Sequence, residues 1–155
     1  MNFLISIVPG AGGGVAMCVD GIFDCRPMPP TETELAKLLR TFRKAAEPAG
    51  YRPLCLMEQT QPLLTADASR EGLIRGIVLA LDYELVPVTP AEWQQSLPLQ
   101  PAWNGAHPVH RRLKLQHAAQ LFFPNLDITP GTAVALTILL WGMRVSKPET
   151  LKPES

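Results

Sequence analysis

Apolar residues along this chain come in short runs with firm stops. Phe3 to Val8 (FLISIV) is almost unbroken hydrophobicity closed by Pro9-Gly10, the pattern of a buried strand. Gly10 to Gly14 turns the chain, and Val15 to Val19 reads as an antiparallel partner that ends in a turn at Asp20-Gly21. Thr31 and Glu34 form a capping box ahead of Leu35, Leu38, Leu39 and Phe42, which share one helical face; Pro48 and Gly50 end that helix. Leu54 to Glu58 is a third apolar strand and finishes on an acid. Ser69 to Leu81 is a helix with Leu73, Ile74, Ile77 and Leu81 facing inward, and Leu85 to Val88 is a strand. Thr89-Pro90-Ala91-Glu92 supplies an N-cap, a proline at the first helical position and a closing glutamate, so a short helix carries Trp93. Leu97 to Pro108 is loop, Val109 to Phe123 an amphipathic helix, and Gly131 to Trp141 a mostly apolar, buried one. The order is hairpin, helix, strand, helix, strand, helices. It predicts an α/β fold, a mixed β-sheet flanked by α-helices.

Composition narrows the function classes. With 155 residues, 46% of them hydrophobic and 18% charged, the chain can bury a core without staples. Fourteen basic residues balance fourteen acidic ones, which argues against a protein devoted to gripping a polyanion, although charge can be segregated locally. Cys18, Cys25 and Cys55 are odd in number and lack CxxC spacing, which predicts buried, reduced thiols in a cytoplasmic protein. The N-terminal stretch has no basic leader of a signal peptide. The longest apolar run, Ala133 to Met143, is roughly half a membrane span, so no membrane association is expected. The proline-punctuated end, residues 145–155, reads as a disordered tail behind a single domain over residues 1–144.

The glycine run invites a phosphate-loop reading and fails it. It lacks the Gly-Lys-Ser/Thr ending, it joins two strands where a phosphate loop opens a helix, and Val15 stands where a GxGxxG pattern needs glycine. A tight hairpin turn is the better account.

Ile7-Val8-Pro9-Gly10-Ala11-Gly12-Gly13-Gly14-Val15-Ala16 resembles the first hairpin (I-D-P-G-x-x-G-G-x-A) of RuvC-type Holliday junction resolvases, members of the RNase H-like superfamily. Leu56-Met57-Glu58 is similar to that family's second acidic strand end. The helix around Gly72 and Gly76 fits as well, and Val88-Thr89-Pro90-Ala91-Glu92-Trp93 is similar to its V-x-P-x-x-W. Lys114 to Pro124 resembles K-x-x-x-x-A-x-x-L-F-P, and Gly131 to Gly142 its last helix. The resemblance runs from about residue 3 to residue 144, in the family's order and spacing. It implies an RNase H-like fold, magnesium-dependent cleavage of branched DNA, and a dimer.

The departures fall on the acids. The family's first-strand aspartate falls on Val8, and its two last-helix acids fall on Pro130 and Val134, so Glu58 alone remains of four expected carboxylates. Two-metal phosphodiester cleavage needs several converging carboxylates, because Mg²⁺ keeps its waters and binds through charged oxygens. Metal binding is therefore expected to be lost at the degenerate site Val8, Glu58, Pro130 and Val134, and with it the nuclease activity. The resulting expectation is a catalytically inactive, resolvase-like protein, a DNA-binding or regulatory module. One alternative is an active metal-dependent junction endonuclease with rearranged ligands, Asp127 being the nearest substitute in sequence, while Asp20 and Asp24 are expected past the far end of the second strand. Another is a protein-interaction module with no nucleic-acid role. For Glu58 the bland reading is a leftover acid held by Lys114 or a backbone donor.

His110, Arg111, Arg112, Lys114 and His117 form the only dense basic segment. By resemblance Arg111, Arg112 and Lys114 would meet phosphates of branched or duplex DNA beside the cleft; a solvated helix face is the competing account. Trp103-Asn104 would stack on a base or plug the loop. His107, His110 and His117 match no metal-ligand spacing. A homodimer is expected through Ser69 to Leu81, whose run of apolar residues exceeds one buried face.

Overall fold

The computed structural model describes residues 3–10, 12–49, 52–59, 65–94 and 110–145. The predicted loop over 97–108, with Trp103, Asn104 and His107, and residues 146–155 of the predicted tail lie outside these. Five strands are β1 (Phe3–Val8), β2 (Gly14–Val19), β3 (Ile22–Pro27), β4 (Leu54–Glu58) and β5 (Glu84–Val88). The helices are α1 (Glu32–Ala46), which runs into a 3₁₀ turn over Glu47–Ala49, α2 (Thr65–Ala80), α3 (Pro90–Gln94), α4 (Arg111–Phe122) and α5 (Pro130–Val145). Among the described residues no helix is long and apolar enough to cross a membrane.

The strands form one mixed sheet in the order β3-β2-β1-β4-β5, as the pattern of elements predicts. β1, β2 and β3 are antiparallel neighbours, whereas β4 runs parallel to β1 and β5 parallel to β4. β1 is central, and all six of its residues are buried. Its alternate side chains divide between two cores. Phe3, Ile5 and Ile7 pack with Leu35, Leu39 and Phe42 of α1 and with Ile74 and Val78 of α2. Leu4 and Val8 pack with α5, with Leu115 and Ala119 of α4, and with Trp93 of α3. A strand covered on both sides reads as continuous apolar sequence, which is why β1 shows no alternation.

Three element predictions change. The chain after Asp20-Gly21 does not leave the sheet but returns as β3, paired with β2 from Val19↔Ile22 to Gly14↔Pro27. As an edge strand it buries only Cys25, while Ile22 is 71% exposed, so its sequence carries little inward apolar signal. Asp24 consequently stands within β3, opposite Met17 and ion-paired to Arg26, and not past the end of β2. α2 begins at Thr65 rather than Ser69, because Thr65-Ala66-Asp67-Ala68 has no apolar phase to announce it, and Leu73, expected to face inward, faces outward at 49% exposure because Ile74 and Val78 set the buried side. The last helix starts at Pro130 and continues through Val145, four residues past Trp141, and takes in the first residue assigned to the tail.

Close packing of α5 on the sheet is a glycine effect. A Cβ on Gly131 would lie 2.1 Å from the carbonyl oxygen of Gly12, and one on Gly14 would lie 2.8 Å from Cγ2 of Thr132. Only bare backbone lets the first turn of α5 meet the β1–β2 turn this closely.

Candidate functional site

The site lies where β1 and β4 end and α5 begins. The β1–β2 connection is a hairpin turn, with Gly13 N–H donating to Gly10 C=O at 3.0 Å and Gly10 at φ +106°. Gly14 pairs with Val8 across the antiparallel ladder, and Glu58 pairs with Val88 across the parallel one. The β1–β4 register, continued one step past Ile7↔Met57, brings Val8 level with Glu58. Gly14, Val8, Glu58 and Val88 thus form one row across the sheet, on its α5 side. Val8 and Val134 belong to one buried apolar cluster with Val88 and Trp93, at 1% and 2% exposure, so those two predicted positions lie in the same core.

Glu58 is 6% exposed. Its carboxylate Oε2 accepts a hydrogen bond from the indole Nε1–H of Trp93 at 2.8 Å. Its partner is therefore not Lys114, which is exposed on α4. Trp93 reaches Glu58 because α3 is short and firmly started. Thr89 Oγ1 accepts from Glu92 N–H at 3.4 Å, and Glu92 Oε1 accepts from Thr89 N–H at 3.2 Å and from Thr89 Oγ1–H at 2.9 Å. Burial pushes the Glu58 carboxyl above its ordinary range, and the nearby Glu71 adds to that; the Trp93 hydrogen bond and the positive field of Arg112 pull it back.

Glu71 was not foreseen from sequence. It is 5% exposed on α2, and burial likewise raises its carboxyl against the lowering effect of Arg75, whose Nη2 lies 3.9 Å away. Its signal was present: Glu71, Ile74 and Val78 are in helical phase, so an acid occupies a position in the buried stripe.

Pro130 does not stand in the core with Val8 and Val134. It is half-buried at the first residue of α5, within a reciprocal threonine cap. Thr129 Oγ1 accepts from Thr132 N–H at 3.1 Å, and Thr132 Oγ1 accepts from Thr129 N–H at 2.7 Å. Proline at this position loses no helical hydrogen bond. The Thr-Pro-Gly-Thr segment is thus a well-made helix start with no acid in it. Asp127 is exposed, and its carbonyl oxygen faces Cys25 Sγ of β3 at 3.7 Å, which puts its backbone on the β3 side of the sheet and not beside Glu58. Cys18, Cys25 and Cys55 are all buried free thiols. Among the described residues no three His, Cys, Asp or Glu side chains gather as metal ligands would.

The basic residues of α4 do not share one face. Leu115 and Ala119 mark the buried side. Arg112 Nη1 donates to Gly12 C=O at 3.5 Å, so this guanidinium lies over the glycine turn at the mouth of the site. Lys114, two positions on, is turned by about 200° around the helix axis and points the other way. Arg111 is half-buried and His110 exposed at the helix start.

No family model and no curated protein sequence matches this chain. Solved structures do. A structure of Thermus thermophilus RuvC in complex with Holliday junction substrate is similar over 99% of this chain and 100% of that one, with a TM-score of 0.60 and 16% identity. A second Thermus thermophilus RuvC structure is similar over 98% of this chain and 99% of that one, with a TM-score of 0.52 and 16% identity. Both likenesses span nearly the whole of each chain, and this chain has the fold of those RuvC structures, an RNase H-like mixed five-stranded sheet flanked by helices.

Proposed function

We propose that this chain is a resolvase-fold protein without nuclease chemistry, kept as a DNA-binding or regulatory module. The observation that carries the reading is the row Gly14, Val8, Glu58 and Val88 beneath Val134. Alkyl groups fill the positions where the resemblance expects acids, and the one remaining carboxylate already accepts from Trp93. The donor set does not fit a pair of magnesium ions. Mg²⁺ needs near-octahedral charged oxygens, and valine side chains offer none. Clustered acids repel one another unless a cation is bound; valines remove that repulsion and add buried apolar area, so the apo fold needs no metal.

DNA binding is carried over from the fold and from the junction-bound RuvC structure. Arg112 at the site mouth, with Arg111 beside it, supplies positive charge where a phosphate would approach, and Lys114 extends it only for a ligand that wraps the helix. Three phosphate contacts would give a log–log salt slope near −2.7, at about −0.9 per contact. A dimer through α2 is part of the same proposal: Leu73 and Leu79 are 49% and 53% exposed on an outward face that also presents Gly72 and Gly76. The deciding experiment incubates the purified protein with four-way junction DNA in Mg²⁺ and in Mn²⁺, and titrates it with Mn²⁺ in a calorimeter. We expect no cleavage, no tight metal binding and salt-sensitive junction binding. Cleavage abolished by Glu58→Gln, or tight Mn²⁺ binding, would overturn the reading.

A further inference from the structure

The outward side of α4 is unlike the rest of the basic segment. Leu113 and Leu121 are 55% and 74% exposed, although each is large enough to contribute to a core. With His110, Lys114, His117 and Ala118 they line a shallow groove of about 550 Å³, open to solvent along the outer side of the helix. Leu113, His117 and Leu121 follow at four-residue spacing, a single stripe about 12 Å long at 1.5 Å per residue. Lys114 and His110 flank the stripe. No Asp or Glu occurs from Val109 to Phe123. Arg112, the cation turned to the glycine site, is on the other side of the helix.

We infer that this groove docks an acidic amphipathic helix of another protein. The chemistry selects that partner. An apolar stripe exposed to water is stabilised by covering it with apolar side chains, at about 25 cal/mol per Å² removed from water. A phosphate backbone cannot supply them, and it gains nothing from desolvating Leu113 and Leu121. A helix laid in the groove inserts anchors at i, i+3 or i+4, and i+7, and acids on its flanks meet Lys114 and the acid-free helix α4. This site is separate from the one on which the proposed function rests, so either can fail without the other.

A display library of random helical fifteen-residue peptides, selected on the full-length protein, tests the inference. The expected survivors carry apolar residues at helical spacing with Asp or Glu beside them. A synthetic survivor should lose at least tenfold in affinity on Leu121→Glu and on Leu113→Glu. Lys114→Glu should weaken it several-fold, and a copy of the peptide with its acids changed to lysine should recover binding to that variant. Leu121→Ser should keep the melting transition of the unaltered protein, which verifies that the variant is folded, and should leave junction binding at the level of the unaltered protein. No enrichment, a basic consensus, or survivors indifferent to Leu113 and Leu121 would overturn the inference. So would loss of junction binding in Leu121→Ser with the melting transition intact, because the groove would then be a nucleic-acid face. Binding of the protein to phosphatidylserine vesicles through Leu121, without any acidic peptide selected, would overturn it in favour of a lipid surface.

Discussion

The two faces of the sheet are built to different rules. The α1–α2 side closes over β1 with aliphatic and aromatic side chains, and Tyr83 satisfies its one deep hydroxyl by donating to Leu39 C=O. The α5 side is as well buried, yet it holds Ser6, Glu58, Thr132 and Thr137. Each of these has a partner: Ser6 donates to Ala135 C=O, Trp93 to Glu58, Thr132 is tied to Thr129, and Thr137 donates to Ala133 C=O. One face is an apolar core whose buried acid, Glu71, is carried by α2 and not by the sheet. The other is a core that carries buried polar groups on the sheet and on α5, each of them hydrogen-bonded within the protein. Burial alone does not distinguish them; the distribution of polar groups does.

The largest expected effect breaks that contrast by introducing acids. Changing Val8, Pro130 and Val134 to Asp should lower stability by at least ~3 kcal/mol without metal, since buried unpaired carboxylates cost several kcal/mol each. Mn²⁺ should recover part of that loss in a melting scan. Ile7→Asp, one residue away but on the α1–α2 face, should destabilise comparably and gain nothing from Mn²⁺. Equal metal responses from the two faces would dissolve the distinction.

Next comes the close approach of α5. Gly131→Ala drives a Cβ to 2.1 Å from a backbone oxygen, which no rotamer relieves, and should cost about 3 kcal/mol, the upper part of the overpacking range. Gly142→Ala meets Leu56 Cδ1 at the same 2.1 Å, but a side-chain end can move, so about 1 kcal/mol is expected. Urea titrations of both variants give the two costs.

Trp93→Phe keeps most of the ring packing and removes the donor to Glu58. It should cost about 2 kcal/mol, as for a buried acceptor left without its partner. Adding Glu58→Met to that variant should recover much of the loss; a purely additive double-mutant cycle would show the hydrogen bond to be immaterial.

The smallest effect is the pH dependence of Glu58. Its folded-state carboxyl lies above the ordinary glutamate range, so in that window the folded protein holds more protons than the unfolded chain. Stability is then fully present below the ordinary range and falls as pH rises through the folded value, by at most about 1.4 kcal/mol per pH unit for one group. Glu71 contributes with the same sign. Glu58→Gln, which still accepts from Trp93, should flatten the decline in part, and adding Glu71→Gln should flatten more of it. A rise in stability across that window would contradict the burial argument.

Much of this could be read from residue order. β1, β4 and β5 announce themselves as apolar runs with hard stops, α1 through Thr31 and its in-phase leucines, and α3 through Thr89, Pro90 and Glu92. These are local signals, set by backbone chemistry within a few residues. That Val8, Pro130 and Val134 fall where the resemblance expects acids is likewise read from sequence alone. What stayed hidden depends on distant neighbours. β3 has almost no apolar phase of its own and exists because β2 offers it a ladder. Glu58 and Trp93 are 35 residues apart and meet only when β4 and α3 converge. Arg112 and Lys114 look like one patch in a line of letters, and the helix sends them to opposite sides. Sequence determined which segments become strands and helices, because capping, turn chemistry and hydrophobic period act locally. Tertiary structure alone decided which polar groups face each other, because partners for a buried charge are set by packing across the sheet and not by spacing along the chain.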